Sequence, residues 1–214
     1  MNILAIDTTS EFGSVAIRGD GALRAAQHIH SPGGFADLIF QAIEETIANA
    51  GLVLSQIDCF AAASGPGGFT GVRVGLAAIK GLAEATGKPA AAISDLRAAA
   101  AFGSAEKRAV ILDARRGQVF AAIYSAGLAL ISPEVVTDLA SWLEKLRDFD
   151  GEFIAPLAFQ EKLAPRPFVA ARPHLASAVA LCAELDGRKG LWSSSIEVDA
   201  NYVRRPDAEL FWRG

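Results

Sequence analysis

Two distant stretches of this chain spell the same local structure. Ile3-Leu4-Ala5-Ile6 is a short apolar run that ends in the carboxylate of Asp7. A turn at Glu11-Phe12-Gly13 follows, and then Ser14-Val15-Ala16-Ile17-Arg18. Ala109-Val110-Ile111-Leu112 likewise ends at Asp113, passes a glycine-bearing turn, and continues as Gln118 to Tyr124. Short apolar, β-branched runs broken by turn residues read as paired strands. A strand–Asp–turn–strand opening that occurs twice predicts a duplicated α/β unit, because each half must cover its own sheet with helices.

The remaining pattern fills in that frame. After Gly19-Asp20-Gly21, Leu23 to Ile29 is a third strand candidate. Apolar residues at Phe35, Leu38, Ile39, Ala42, Ile43 and Ile47 have helical spacing, with Gly51 as the stop. Residues 57–63 and 90–93 are further strand candidates, separated by a helix from about Val72 to Ala85. Ser94 caps a short helix that ends near Gly103. The polar stretch 103–108 is the natural linker, so the expected units are 1–104 and 105–214. In the second unit, Asp138 caps a helix to about Arg147, 151–155 is a strand, and Pro173 to Leu185 is a helix. The tail from Ser193, with Tyr202, Phe211 and Trp212, is expected to be extended and packed back on the body.

Composition narrows the function classes. With 51% hydrophobic and 21% charged residues, the chain has the means to bury a core and is not a disordered segment. Its net charge of −4 argues against a broad phosphate-gripping surface, although only seven of the 20 Lys and Arg residues lie in 1–107 and the other 13 in 108–214. Arg115, Arg116, Arg204 and Arg205 could form a local basic spot. No apolar run approaches the ~20 residues of a membrane helix, and the start has Asp7 where a signal peptide needs an apolar run. Cys59 and Cys182 sit in apolar surroundings and read as buried thiols of a cytoplasmic protein.

The segment Ser64-Gly65-Pro66-Gly67-Gly68-Phe69-Thr70-Gly71 lies between a strand and a helix. One reading is a phosphate or partner loop, since a helix start offers free N–H groups. The other is a tight connection that only glycine can make. It is not a Walker loop, because no Gly-Lys-Ser/Thr follows. The next helix is apolar or small nearly all round (Val72, Val74, Gly75, Leu76, Ala78, Ile79, Gly81, Leu82) and must be covered on more than one side. Its neighbour, the helix at 35–50, widens the apolar region with Phe35, Ile39 and Phe40. Either these helices form an ordinary core or they expose a patch that binds a partner.

Chemical candidates are few. His28 and His30 share one side of a strand, but no Cys or carboxylate cluster completes a metal site, so they read as solvent-facing. Asp7 with Thr8 and Thr9, and Asp113 with Arg115, Arg116 and Gly117, could hold a nucleotide's phosphates and its metal between the halves. Equally, each Asp could be a turn carboxylate satisfied by local N–H groups. No Gly-x-Ser-x-Gly elbow is present.

The residues Ile3 to Thr9, Ser64 to Arg73, Asp113-Ala-Arg-Arg-Gly-Gln-Val-Phe120 and Tyr202-Val-Arg204 together resemble the TsaB (YeaZ-like) family. Gly68 departs from the serine common there. The resemblance implies the actin/Hsp70-like fold of two ribonuclease-H-like lobes. It implies a non-catalytic partner of TsaD, which transfers a threonylcarbamoyl group to an adenosine beside the anticodon of tRNA, with TsaE as an ATPase partner. In TsaD a His-x-x-x-His pair binds metal; Asp95 and Ala99 stand at the matching places here, and Ala99 cannot bind a metal. Thr8-Thr9 follow Asp7 where ATP-using relatives often show Asp-x-Gly. The resemblance therefore implies no catalytic residue, no cofactor and no metal of this chain's own. It also makes the two apolar helices (Phe35, Leu38, Ile39, Ala42, Val72, Gly75, Leu76, Ile79) the pairing surface for TsaD, or for a second copy when TsaD is absent. tRNA would be met through that complex. The alternative is an ATP-binding or weakly hydrolysing enzyme that uses Asp7, Thr8, Thr9, Asp113 and Gly117. A glycopeptidase-like hydrolase, an older label of the family, has no metal pair or nucleophile set to support it.

Overall fold

Ile3 and Leu4 are both fully buried although they point to opposite faces of one strand. The strand must therefore be covered on both sides, and its continuous apolar run reflects that. The computed structural model describes residues 1–203. The first sheet holds β1 (Asn2–Asp7), β2 (Phe12–Gly19), β3 (Ala22–His30), β4 (Cys59–Ala63) and β5 (Ala90–Ile93), in spatial order β3-β2-β1-β4-β5. Leu4 faces Ile17 across an antiparallel pair and Phe60 across a parallel one. The second sheet holds β6 (Lys107–Asp113), β7 (Gln118–Ser125), β8 (Leu130–Asp138), β9 (Glu152–Pro156) and β10 (Phe168–Ala171). Its order is β8-β7-β6-β9-β10, the same path as the first. The duplication expected from the two opening motifs is thus present in the strand order.

Three apolar clusters show how the layers stack. Leu4, Ile6, Phe60 and Ala62 on one face of the first sheet meet α1 (Ile39–Asn49) and α2 (Phe69–Thr86). Ile3, Ala5, Cys59 and Ala61 on the other face meet α3 (Asp95–Ala100) and α6 (Ala176–Gly187), which also touch Val110, Ala122 and Ile154 of the second sheet. Ala109, Ile111, Phe153 and Ala155 on the outer face of the second sheet are covered by α4 (Leu139–Lys145) and α5 (Gln160–Leu163) with the 3-10 turn before it. Alanines dominate α3 and α6 because these helices are pressed between two sheets. Each fully buried Ile or Leu contributes about 2 kcal/mol to this arrangement.

The two central helices are exchanged. The helix that ends the first half, α3, packs on β6 and β7 of the second sheet. The helix that ends the second half, α6, packs on β1, β2 and β4 of the first. Arg97 of α3 ties them together by two bonds to Asp186 of α6, at 2.6 and 2.7 Å, and donates to the Leu128 carbonyl as well. The expected units 1–104 and 105–214 thus share their central helices. A cut there falls between α3 and β6, yet it leaves each sheet without the central helix that covers it.

Over the described residues the tail returns to the first sheet, as expected. Ser193 bridges Ala90 on β5, and Val198 is buried. The Asn201 backbone N–H donates to the Ser64 carbonyl at 2.8 Å. Arg204, Arg205, Phe211 and Trp212 lie outside the described residues. Among the described residues, no helix is long and apolar enough to cross a membrane. Cys59 and Cys182 are free and buried, and burial pushes each thiol up to about 12.

Candidate functional site

The strand ends of the first sheet gather the most unusual side chains in the molecule. Asp7 closes β1 and is buried with Thr8 and Thr9. One of its oxygens accepts from the Thr9 backbone N–H at 3.0 Å and from the Thr9 hydroxyl at 2.9 Å. The other accepts from the Leu175 N–H at 2.9 Å, just before α6. Burial raises the Asp7 pKa, and these donors partly offset it. Asp95, in the first turn of α3, is buried beside it and accepts from the Gly65 N–H at 2.8 Å. Burial and the neighbouring Asp7 charge push the Asp95 carboxyl well above its ordinary range. The Thr9 side chain and the Gly65 N–H partly offset that rise.

The glycine-rich loop seals this cluster. The Gly68 N–H donates to the Thr9 carbonyl at 2.7 Å, and the Thr8 hydroxyl donates to the Gly71 carbonyl at 2.7 Å. A Cβ on Gly67 would stand 2.7 Å from the Thr9 side chain, and one on Gly71 would collide with the Thr8 carbonyl. Glycine is required here so that α2 can start against the β1–β2 turn. Of the two readings of this loop, the tight connection is the one its contacts display. Asp7, Thr8 and Thr9, the residues expected for weak nucleotide binding, have the hydrogen-bonding groups named here bonded within the chain.

Asp113 and Gly117, expected to complete that set, stand elsewhere. Both line a cavity of about 330 Å³ on the second sheet together with Arg115, Arg116, Val119, Leu139, Phe159 and Lys162. None of Asp7, Thr8 and Thr9 belongs to it. Among the described residues, no three His, Cys, Asp or Glu side chains are grouped to hold a metal ion. At the places matched to the metal-binding histidines, Asp95 is in the cluster above and Ala99 is fully buried. His28 and His30 are exposed, as expected, but they are not isolated. His28 stacks on His174 at 4.0 Å, and His30 stacks on Phe12 at 4.9 Å.

The expected partner residues also need sorting. Phe35, Ile39, Ala42, Val72, Gly75, Leu76 and Ile79 are buried in the chain's own core, and only Leu38 of the eight is exposed, at 40%. The helical periodicity identified the buried stripe, because the same apolar signal marks a core face and an interface face. The outward stripes are different residues. On α1 they are Phe40, Glu44 and Ala48; on α2 they are Phe69, Arg73, Ala77 and Gly81, each one turn after the last. Phe40 is 54% exposed and Phe69 43%. Arg73 lies 3.7 Å over the Phe69 ring, and Tyr202 of the tail packs 5.8 Å from it. A Cβ on Gly81 would meet open space, so this stripe is flat.

Glu134 of β8 is a residue the sequence did not single out. It accepts from the Ser94 and Tyr124 hydroxyls and from the Asn201 side-chain amide, at 2.6 Å for the last. It thereby joins β7, β8, the cap of α3 and the tail. Burial and this carboxylate raise the Tyr124 hydroxyl pKa.

Two sheets of identical strand order with exchanged central helices define an actin/Hsp70-like protein of two ribonuclease-H-like halves. A family model described as "TsaD: tRNA N6-adenosine threonylcarbamoyltransferase" matches residues 33–185. The Escherichia coli "tRNA threonylcarbamoyladenosine biosynthesis protein TsaB" is 31% identical over 168 residues, covering 72% of this chain and 70% of the relative. The Haemophilus influenzae protein of the same description is 38% identical over 128 residues, 56% of this chain and 52% of the relative. Among solved structures, YeaZ from Pseudomonas aeruginosa superposes with a TM-score of 0.75 at 26% identity, covering 94% of this chain and 99% of that one. A second Pseudomonas aeruginosa protein, described as similar to peptidase YEAZ, reaches 0.81 at 26% identity, with 95% and 99% covered. The chain belongs to the TsaB (YeaZ-like) family.

Proposed function

We propose that this chain is a non-catalytic partner subunit in the synthesis of threonylcarbamoyladenosine on tRNA. It pairs with TsaD through the layer formed by α1 and α2. The observation that carries the reading is the outward stripe Phe69–Arg73–Ala77–Gly81 beside Phe40 of α1. A flat, small-residue stripe with an aromatic at its head lets a second helix layer approach closely and bury apolar area, which is the main driving force of association. Family membership supports the reading, since relatives carry the biosynthesis name. The replacement of the histidine pair by Asp95 and Ala99 supports the division of labour, with transfer left to TsaD. TsaE joins the larger assembly, and tRNA is met through it. In the absence of TsaD the same layer pairs with a second copy.

Size exclusion of mixtures with TsaD tests the pairing. The wild type is expected to co-elute with TsaD. A Phe40→Glu, Ala77→Glu double variant, changed only at exposed positions, is expected to keep its circular dichroism spectrum and elute apart. Co-elution of the variant as strong as that of the wild type would contradict the reading.

A further inference from the structure

Two neighbouring residues of the tail touch two different parts of the molecule. Asn201 faces the joint between the halves. Its side-chain amide donates to Glu134 of β8 at 2.6 Å and reaches the Gly65 carbonyl at 3.4 Å. Its backbone N–H donates to the Ser64 carbonyl at 2.8 Å. Tyr202, the next residue, lies at the head of the outward stripe of α2. Its ring centre is 5.8 Å from that of Phe69, and its hydroxyl accepts from the Arg73 guanidinium at 3.3 Å. Arg73 in turn covers the Phe69 ring at 3.7 Å.

The hydrogen bonds of Asn201 already hold the tail at this point, and Val198 before it is buried. The Tyr202 ring, by contrast, is 44% exposed beside a Phe69 ring that is 43% exposed. Half-open aromatic rings joined to an arginine are the chemistry of a pairing face, since Tyr, Trp and Arg carry most of the energy of protein association. Each of the three side chains here is fixed by the other two, so little rotamer freedom is left to lose when a partner arrives. The patch carries the stripe Phe69–Arg73–Ala77–Gly81 past the first residue of α2. The TsaD family model matches residues 33–185, a span that includes α1 and α2, which makes a helix layer of the same kind the counterpart for this face.

We infer that Tyr202 is an anchor of the face that meets TsaD, and that Asn201, clasped by Glu134, positions it. The inference rests on the pairing reading above and adds to it a residue from outside the two helices. It also makes the pairing face depend on β8 of the second sheet, through Glu134.

Calorimetric titration of the whole chain into TsaD tests it, with urea unfolding of each variant alongside to separate pairing from folding. Tyr202→Ala is expected to raise Kd at least about tenfold while the unfolding midpoint stays near that of the wild type. Tyr202→Phe keeps the ring and is expected to raise Kd only about two- to threefold, the low end of what one hydrogen bond is worth. Asn201→Ala leaves the tyrosine present but unclasped and is expected to raise Kd at least about threefold. In the Tyr202→Ala background the same Asn201→Ala change is expected to alter Kd by less than about twofold, because its effect runs through the missing ring. Tyr202→Ala binding as tightly as the wild type, while the Phe40→Glu, Ala77→Glu variant fails to bind, would overturn this inference and leave the pairing reading standing. Additive losses in the Asn201→Ala, Tyr202→Ala double variant would overturn the positioning role of Asn201. A wild type that does not bind TsaD would overturn both readings.

Discussion

Thr8 and Gly71 are fitted to each other: the Thr8 hydroxyl donates to the Gly71 carbonyl at 2.7 Å, and the Thr8 carbonyl occupies the space a Gly71 side chain would need. This contact fastens the start of α2 to the end of β1. It makes the glycine-rich loop a joint between strand and helix.

Gly71→Ala is therefore expected to destabilise the protein by about 1–3 kcal/mol, as overpacking against backbone does. Gly81→Ala, on the open side of the same helix, is expected to be neutral or stabilising by up to about 1 kcal/mol, because alanine is the better helix former. Urea unfolding of the two variants checks the contrast. Equal stabilities would refute the close-approach role of Gly71.

A charge placed on the inner stripe has a different effect from one on the outer stripe. Ile79 is fully buried and Leu76 nearly so. Ile79→Glu puts a carboxylate with no partner into the core and is expected to cost more than about 4 kcal/mol, enough to unfold a domain of ordinary stability. Phe40→Glu is expected to change stability by less than about 1 kcal/mol. Thermal melts followed by circular dichroism distinguish the two.

The buried carboxyl pair sets a pH dependence. Burial and the Asp7 charge raise the Asp95 pKa in the folded chain, with Glu134 adding to the effect. Stability from a group raised in this way is present below its unfolded value and falls as pH rises through its folded value. Asp95→Asn keeps an oxygen for the Gly65 N–H and removes the titrating group. The variant is expected to gain stability relative to the wild type as pH rises from 4 to 8. A constant difference across that range would show that Asp95 is charged throughout.

His174 gives the opposite sign. Burial and the stacked His28 lower its pKa. The stability it confers is present above its unfolded value and is lost as pH falls through its folded value. His174→Gln is expected to flatten the loss of melting temperature on acidification from pH 7 to 5. An unchanged slope would remove His174 from the account.

Much of the fold could be read from the chain because its strands are continuous apolar runs. β1, β4 and β5 are buried on both faces, and the hairpin partners carry the same signal. The Asp138 cap was also legible, and its carboxylate does accept from the Ser141 N–H at 2.8 Å. β8 and β10 gave no such signal. β8 is an edge strand with Pro133 in its middle and no fully buried residue, and β10 has four residues after Pro165 and Pro167. The exchange of α3 and α6 was illegible, since alanine-rich helices fit any narrow gap. The site was partly legible. The motif at Asp7 and the loop at Ser64 to Gly71 meet in the fold, but the pairing of Asp7 with Asp95 joins residues that only the fold brings together. Glu134 and Lys162 carry no local pattern at all.

The central claim is that this chain supports the transfer reaction by pairing and does not perform it. Mass spectrometric quantification of threonylcarbamoyladenosine in tRNA, in a reaction reconstituted with TsaD and its other partners, tests it most directly. The account predicts no modified base from this chain alone, formation when it is added to the others, and at least about tenfold less when the Phe40→Glu, Ala77→Glu variant replaces it. Modified base made by this chain alone, or full formation with the variant, would contradict it.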